Sequence, residues 1–99
     1  MNSDRIFDAL ASPPRREVLR RLAAAERSTG ELAAALAMTA PAVSRHLSIL
    51  ESAGLVTSRR DGQRVLYGLV RDTLMEALSG FAAECRPGQP GARQQREAI

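Results

Sequence analysis

The chain has 99 residues, a net charge of +3 and 44% hydrophobic side chains, with two Phe, one Tyr and no Trp, so its core must be built from aliphatic residues, which suits helices better than a sandwich. A single Cys and a single His exclude an intrachain disulfide framework and leave no Cys/His set for a metal or a nucleophilic catalyst. No paired carboxylate or glycine-rich phosphate loop points to an enzyme, and a chain this short gains from pairing with a partner.

Charge placement says more than total charge. Every basic side chain is Arg, and residues 39–71 hold Arg45, Arg59, Arg60, Arg64 and Arg71 against Glu51 and Asp61, whereas residues 72–85 hold Asp72, Glu76 and Glu84 with no base. Residues 1–30 contain no apolar run suited to a signal peptide, and no segment approaches the ~20 apolar residues that cross a bilayer, so a cytoplasmic protein without a membrane partner is expected.

Ile6, Phe7 and Leu10 make a short apolar helical stripe, which Ser12-Pro13-Pro14 should end. A second helix is predicted from about Arg15 to Ala25, with Val18, Leu19, Leu22 and Ala23 inward. Cations disfavour a helix start, so Arg15 and Arg16 there imply a nearby anion such as phosphate. Ser28-Thr29-Gly30-Glu31 has the spacing of a capping box and opens a third helix, Thr29 to about Ala37, that buries Leu32, Ala33 and Leu36. A second cap, Thr39, follows almost at once, with Pro41 tolerated in the first turn of the next helix. Two capped helices so closely joined make a helix-turn-helix pattern.

The fourth helix, about Ala40 to Ser52, puts Val43, Leu47 and Leu50 on one face and Pro41, Ser44, Arg45 and Ser48 on the other, with Gly54 as a left-handed stop. That outer face lacks apolar bulk and acidity, as a helix reading a DNA groove requires. Leu55 to Arg60 and Gln63 to Val70 read as strands joined by an Asp61-Gly62 type I′ turn, which would set Arg59 opposite Arg64 beside Arg60 and create a need for an anion. A fifth helix, capped by Asp72, presents Leu74, Leu78, Phe81 and Cys85 as a stripe available for a dimer seam. Residues 86–99, rich in Pro, Gly, Gln and Arg, are expected to form a disordered tail beyond a domain of residues 1–85.

The segments FDALASPPRREVLRRLA, TGELAAAL, TAPAVSRHLSILESAGLV and SRRDGQRVLYGL, in this order, resemble the ArsR/SmtB family of bacterial transcriptional repressors over roughly residues 4–85. The resemblance implies a mainly α winged helix-turn-helix with a β-hairpin wing, acting as a homodimer packed through its first and last helices. It places the fourth helix in a major groove and the wing near phosphate or the minor groove. The family's metal motifs do not carry over: its cysteine pair falls at Ser28 and Gly30, and its last-helix His ligands are missing, so no metal or cofactor is expected.

Double-stranded DNA is thus the expected partner. Thr39, Ala40, Pro41, Ser44, Arg45, His46 and Ser48 of the fourth helix, with Arg59, Arg60, Gln63 and Arg64 of the wing, are the candidate contacts. Ala40 offers a thymine methyl only van der Waals contact, and Ala37 occupies the tight turn where glycine is favoured. His46 is open between a DNA contact and a structural hydrogen bond. Ile6, Phe7, Leu10, Leu74, Leu78, Phe81 and Cys85 are the candidate dimer residues. Cys85 suits the edge of that seam or a redox input, and an unidentified small-molecule effector is compatible with it. No segment suits recruitment of polymerase, so repression by occupying a palindromic operator is the expected output. The alternative is a winged module that docks on an acidic protein.

Overall fold

The computed structural model describes residues 3–88. In chain order it contains α1 (Ser3–Leu10), α2 (Pro13–Ala24), α3 (Thr29–Leu36), α4 (Ala40–Ser52), β1 (Val56–Asp61), β2 (Arg64–Leu69) and α5 (Arg71–Glu84). The expected order of five helices with a hairpin before the last is present. Most of the expected tail, residues 89–99, lies outside the described residues.

Helix ends follow from identifiable donors and acceptors. Pro13 and Pro14 do not end α1 from outside; they begin α2, where a missing N–H costs nothing, and the Ser12 hydroxyl caps the helix by accepting from the Arg15 amide at 3.4 Å. The cations expected to seek an anion have another use. Arg15 Nε donates to the Ala9 carbonyl at 2.8 Å and its Nη2 to the Asp8 carbonyl at 3.3 Å, while Arg16 Nη1 reaches the Leu10 carbonyl at 2.7 Å. Helix α1 has no base in its own last turn, and α2 supplies the positive charge that its C-terminus favours. The predicted capping box at α3 is formed in both directions: Glu31 N–H donates to Ser28 Oγ at 3.2 Å, and Ser28 N–H to Glu31 Oε1 at 2.8 Å.

Ala37 ends α3 with φ 55°, in the left-handed region, and the following Met38 N–H returns to the Ala33 carbonyl at 3.0 Å. Thr39 then caps α4 through its hydroxyl, which accepts from the Ala42 amide at 3.3 Å. Helix α4 closes at Gly54, φ 78°, where Gly54 N–H donates to the Glu51 carbonyl and Leu55 N–H to the Leu50 carbonyl, the two bonds of a Schellman motif. Helix α5 starts one residue before its expected cap: Val70 precedes it with no side-chain cap bond, and Asp72 sits in the first turn, where its charge suits the helix dipole.

The hairpin register differs from expectation. Asp61 pairs with Arg64, so Gly62 and Gln63 form the two-residue connection, and Arg59 lies opposite Leu66 rather than Arg64. Among the described non-glycine residues only Ala37 has positive φ, and Gly62, at 64°, alone supplies it in the connection. A type I′ turn needs positive φ at both central residues, whereas a type II′ turn needs it only at the first, where Gly62 stands. An isolated antiparallel bridge from Arg27 to Tyr67 adds a backbone tie that the sequence does not announce.

One core joins these elements. Ile6, Ala9, Val18, Leu19, Leu22, Leu32, Val43, Leu47, Leu50, Leu55, Val56 and Ala77 are buried together, with Phe7, Leu10, Leu36, Met38 and Leu74 packed at its margin. Each fully buried Leu or Val contributes about 1.5–3 kcal/mol relative to exposure. Leu32 on α3 and Val43, Leu47 and Leu50 on α4 are all in this set, so the two helices of the turn are held from beneath by the same cluster.

Candidate nucleic-acid interface

With its apolar side spent on the core, α4 has one exposed side. Ala40 and Pro41 lie exposed in its first turn, and Ser44, Arg45 and Ser48 are exposed farther along. Ala40 and Pro41 are separated from Ser44 and Ser48 by the three- and four-residue steps that place helix residues on one face. Thr39 is exposed at the helix start, its hydroxyl engaged as the cap. The structure thus brings all these predicted residues to one side of the helix.

His46 stands apart. It is half-buried, and its Nδ1 is enclosed with no hydrogen-bond partner among the described residues. Burial chiefly, and then the positive charges of Arg15 and Arg45, hold its pKa below the ordinary 6.5. With its Nδ1 enclosed and its charged form disfavoured, the ring is not a member of the exposed row.

The strand pairing sorts the wing into two faces, because side chains alternate along a strand. One face carries Thr57, Arg59 and Asp61 with Arg64, Leu66 and Gly68; the other carries Val56, Ser58 and Arg60 with Val65, Tyr67 and Leu69. The first is turned toward α2 and α3. Arg59 donates there to Glu26 through Nε, at 3.1 Å to each carboxylate oxygen, and through Nη2 at 2.7 Å to Oε1. This fork lowers the Glu26 pKa through the Arg59 hydrogen bonds and raises that of Arg59. Arg64 lies 3.7 Å from Glu31 and 3.7 Å from Asp61. Glu31 Oε1 at the same time holds the Ser28 amide, and the Ser28 hydrogen bonds keep the Glu31 carboxyl below its usual range.

Arg59 and Arg64 are therefore not crowded against each other awaiting an anion: each has a carboxylate partner, and the changed register keeps them out of direct opposition. Arg60, on the other face, is exposed and makes no ion pair among the described residues, and Gln63 is exposed in the turn. Sequence reasoning missed Glu26 and Glu31 as partners of the wing. Glu26 and Arg59 are 33 residues apart, a separation that no local periodicity reports.

The candidate dimer residues divide by burial. Ile6 belongs to the core of the protomer and is not a surface residue; Phe7, Leu10 and Leu74 are half-buried. Leu78 at 46% exposure, Phe81 at 54% and neighbouring Met75 at 50% leave an apolar strip on α5, and Cys85 is exposed just past its end. The Phe81 ring meets Phe7 edge-on at a centroid distance of 5.4 Å, which joins α1 to this strip. Among the described residues no group of three or more His, Cys, Asp or Glu is placed to hold a metal, and no helix is long and apolar enough to cross a membrane.

The fold and the pattern on α4 agree with what comparison finds. Residues 12–58, from the cap of α2 into β1, match the model of bacterial regulatory proteins of the arsR family. The HTH-type transcriptional regulator KmtR of Mycobacterium tuberculosis is 42% identical over 90 residues, covering 86% of this chain and 68% of that protein. The chain belongs to the arsR family of bacterial regulatory proteins. It is also 46% identical over 64 residues to the HTH-type transcriptional repressor SmtB of M. tuberculosis, covering 65% of this chain. This ArsR-family chain spans only 47% of SmtB and less than two thirds of another mycobacterial regulator that it matches. The solution structure of a homodimeric winged helix-turn-helix DNA-binding domain from Mycobacterium bovis superimposes with a TM-score of 0.70 at 34% identity, covering 85% of this chain and 80% of that one. The architecture is accordingly a winged helix-turn-helix of a DNA-binding transcriptional regulator family, which is a family of transcription factors and not of enzymes.

Proposed function

We propose that this ArsR-family protein is a repressor that occupies a palindromic operator as a homodimer, with α4 of each protomer in a major groove and each wing against the flanking backbone. The observation that carries the proposal is the exposed side of α4. Ala40, Pro41, Ser44, Arg45 and Ser48 are all accessible, while Val43, Leu47 and Leu50 anchor the opposite side in the core. Small residues permit close approach to base edges, and Arg45 supplies the planar donor fork that suits guanine O6 and N7. The Thr39 hydroxyl caps α4, whose N-terminus suits a phosphate. In this assignment Arg60 and Gln63 are the leading wing contacts, Arg59 and Arg64 reach backbone only by leaving their carboxylates, and His46 supports the helix from behind.

Dimerisation is assigned to α1 and α5. Their apolar strip of Phe7, Met75, Leu78 and Phe81 would otherwise face water, and the M. bovis domain with the same fold is homodimeric. Residues 1–85 form the domain in this assignment. An organic effector, or an oxidant acting on Cys85, would act at the same seam and be read as a shift of the monomer–dimer equilibrium. Repression is favoured because SmtB is a repressor.

Selection of bound duplex from a random library tests the proposal. The expected product is an inverted repeat with half-sites about one turn apart, roughly 34–36 Å. Arg45→Ala should then lower affinity for the selected site by about 5- to 150-fold, corresponding to ~1–3 kcal/mol for a bidentate base contact, with a smaller loss on scrambled duplex. No enrichment of any sequence, or salt-sensitive capture of an acidic protein in its place, refutes it.

A further inference from the structure

The Arg59–Glu26 fork is one part of a two-point attachment of the wing. Residue 27, immediately after Glu26, forms the backbone bridge to Tyr67: Arg27 N–H donates to the Tyr67 carbonyl at 3.1 Å, and Tyr67 N–H to the Arg27 carbonyl at 2.8 Å. Two residues later α3 begins. Glu26 thus sits where the connection from α2 to α3 touches the middle strand of a small three-part ladder, with Arg27 on one side of β2 and β1 on the other. The Glu26 side chain lies over Gly68, where an added Cβ would stand in ordinary van der Waals contact, 3.5 Å from both Glu26 Cγ and Oε2. Leu66 is buried on the same face and presses it inward. Arg59 is consequently held with its fork turned to the protein, and its neighbour Arg60 alternates to the opposite face.

We infer that Glu26 is a positioning residue for the wing, one that fixes the hairpin on the start of the helix-turn-helix and withdraws Arg59 from phosphate, leaving Arg60 as the wing cation that meets the DNA backbone. This rests on the DNA-binding function proposed above. Its use is discrimination. An Arg on a short hairpin attracts any duplex, and a carboxylate that retains it lowers the sequence-independent part of binding without touching the base contacts of α4.

The test uses the full chain and a mixed-sequence duplex of about 30 base pairs, roughly three helical turns, titrated over a range of salt. Each phosphate contact contributes about −0.9 to the slope of log affinity against log salt. Glu26→Ala should tighten binding several-fold at low salt and steepen the slope by about 0.9, as the released Arg59 takes a phosphate. Glu26→Gln, which keeps an acceptor but no charge, should fall between it and the wild type. Arg59→Ala alone should leave the slope unchanged, and in combination with Glu26→Ala should abolish the gain, whereas Arg60→Ala should make the slope shallower by about 0.9.

A second readout needs no DNA. The Arg59 Nε–H signal in a nitrogen-edited NMR spectrum should be protected from exchange with water in the wild type and lost in Glu26→Ala. Glu26 and Arg59 are both exposed, so their replacement should leave the protein folded, and a thermal melt of each variant checks this. An unchanged slope in Glu26→Ala, a slope already reduced in Arg59→Ala, or an unprotected Nε–H in the wild type each overturns the inference. Failure of the wild type to bind duplex in a salt-dependent way overturns the operator function and the phosphate half of the inference together, while the Nε–H signal still decides the clasp.

Discussion

Replacing Ala37 by Gly should make this protein more stable. Ala37 carries φ 55° and ψ 43° at the end of α3, a left-handed conformation that brings Cβ too close to the following carbonyl oxygen and costs an L-residue about 1–2 kcal/mol. Glycine removes that cost but has more backbone freedom to lose on folding, about 0.5–1 kcal/mol. The difference is a gain of about 0.5–1 kcal/mol, which for a domain of this size raises Tm by about 2–8 °C. In a dimer the number of substituted sites and the unfolding entropy both double, so the expected shift is the same when the two proteins are compared at equal protomer concentration. The measurement is a pair of thermal melts with a control on the same helix. Ala34→Gly, at an exposed position inside α3 with ordinary helical geometry, should destabilise by about 0.5–1 kcal/mol. One chemical change with opposite signs three residues apart is the signature of backbone strain. A Tm for Ala37→Gly equal to or below that of the wild type refutes the reasoning, because it would mean that the left-handed turn carries no strain that glycine relieves.

Two further outcomes follow from burial and charge. Leu78→Glu places a charge on an apolar strip that is exposed in the protomer, so the protomer should keep its helical circular dichroism while sedimentation shows the mass falling from dimer to monomer and operator affinity dropping at least 10-fold; retention of the dimer would remove α5 from the interface. His46 has a folded pKa below 6.5, so the unfolded chain binds more protons in that range: its contribution is fully present above pH 6.5 and is lost as pH falls toward the depressed folded value. Chemical denaturation should show stability falling on acidification below pH 6.5, and His46→Gln should flatten that dependence; an identical pH profile in the variant would separate His46 from it.

The outer side of α4 was legible because everything that builds it is local. Thr39 as cap, Pro41 in the first turn, apolar residues at 43, 47 and 50, and Gly54 as stop act within one helix, and the same is true of the Ser28–Glu31 box. The wing was legible as a hairpin but not in its register. Asp61-Gly62 and Gly62-Gln63 are both acceptable turns by composition, and both put Arg59, Arg64 and Leu66 on the same face, so strand alternation does not choose between them; what differs is the cross-strand partner of each residue, with Arg59 opposite Leu66 in the observed pairing. The roles of Arg15 and Arg16 were hidden for a related reason. Their charge marks them as unusual at a helix start, but the carbonyls of Asp8, Ala9 and Leu10 that accept from them belong to a different helix.

The sequence by itself determined the order of elements, the helix-turn-helix with its two caps, the apolar sides of the helices and the row of small residues around Arg45 on α4, because caps, turn residues and a 3.6-residue period act over a few positions. Only the tertiary structure decided which positive charges remain available. The clasp of Arg59 on Glu26, the approach of Arg64 to Glu31, the enclosure of His46 and the burial of Ile6 inside the protomer all arise from segments far apart in the chain, and electrostatic attraction and exclusion of water depend on distance in space, not on separation in sequence.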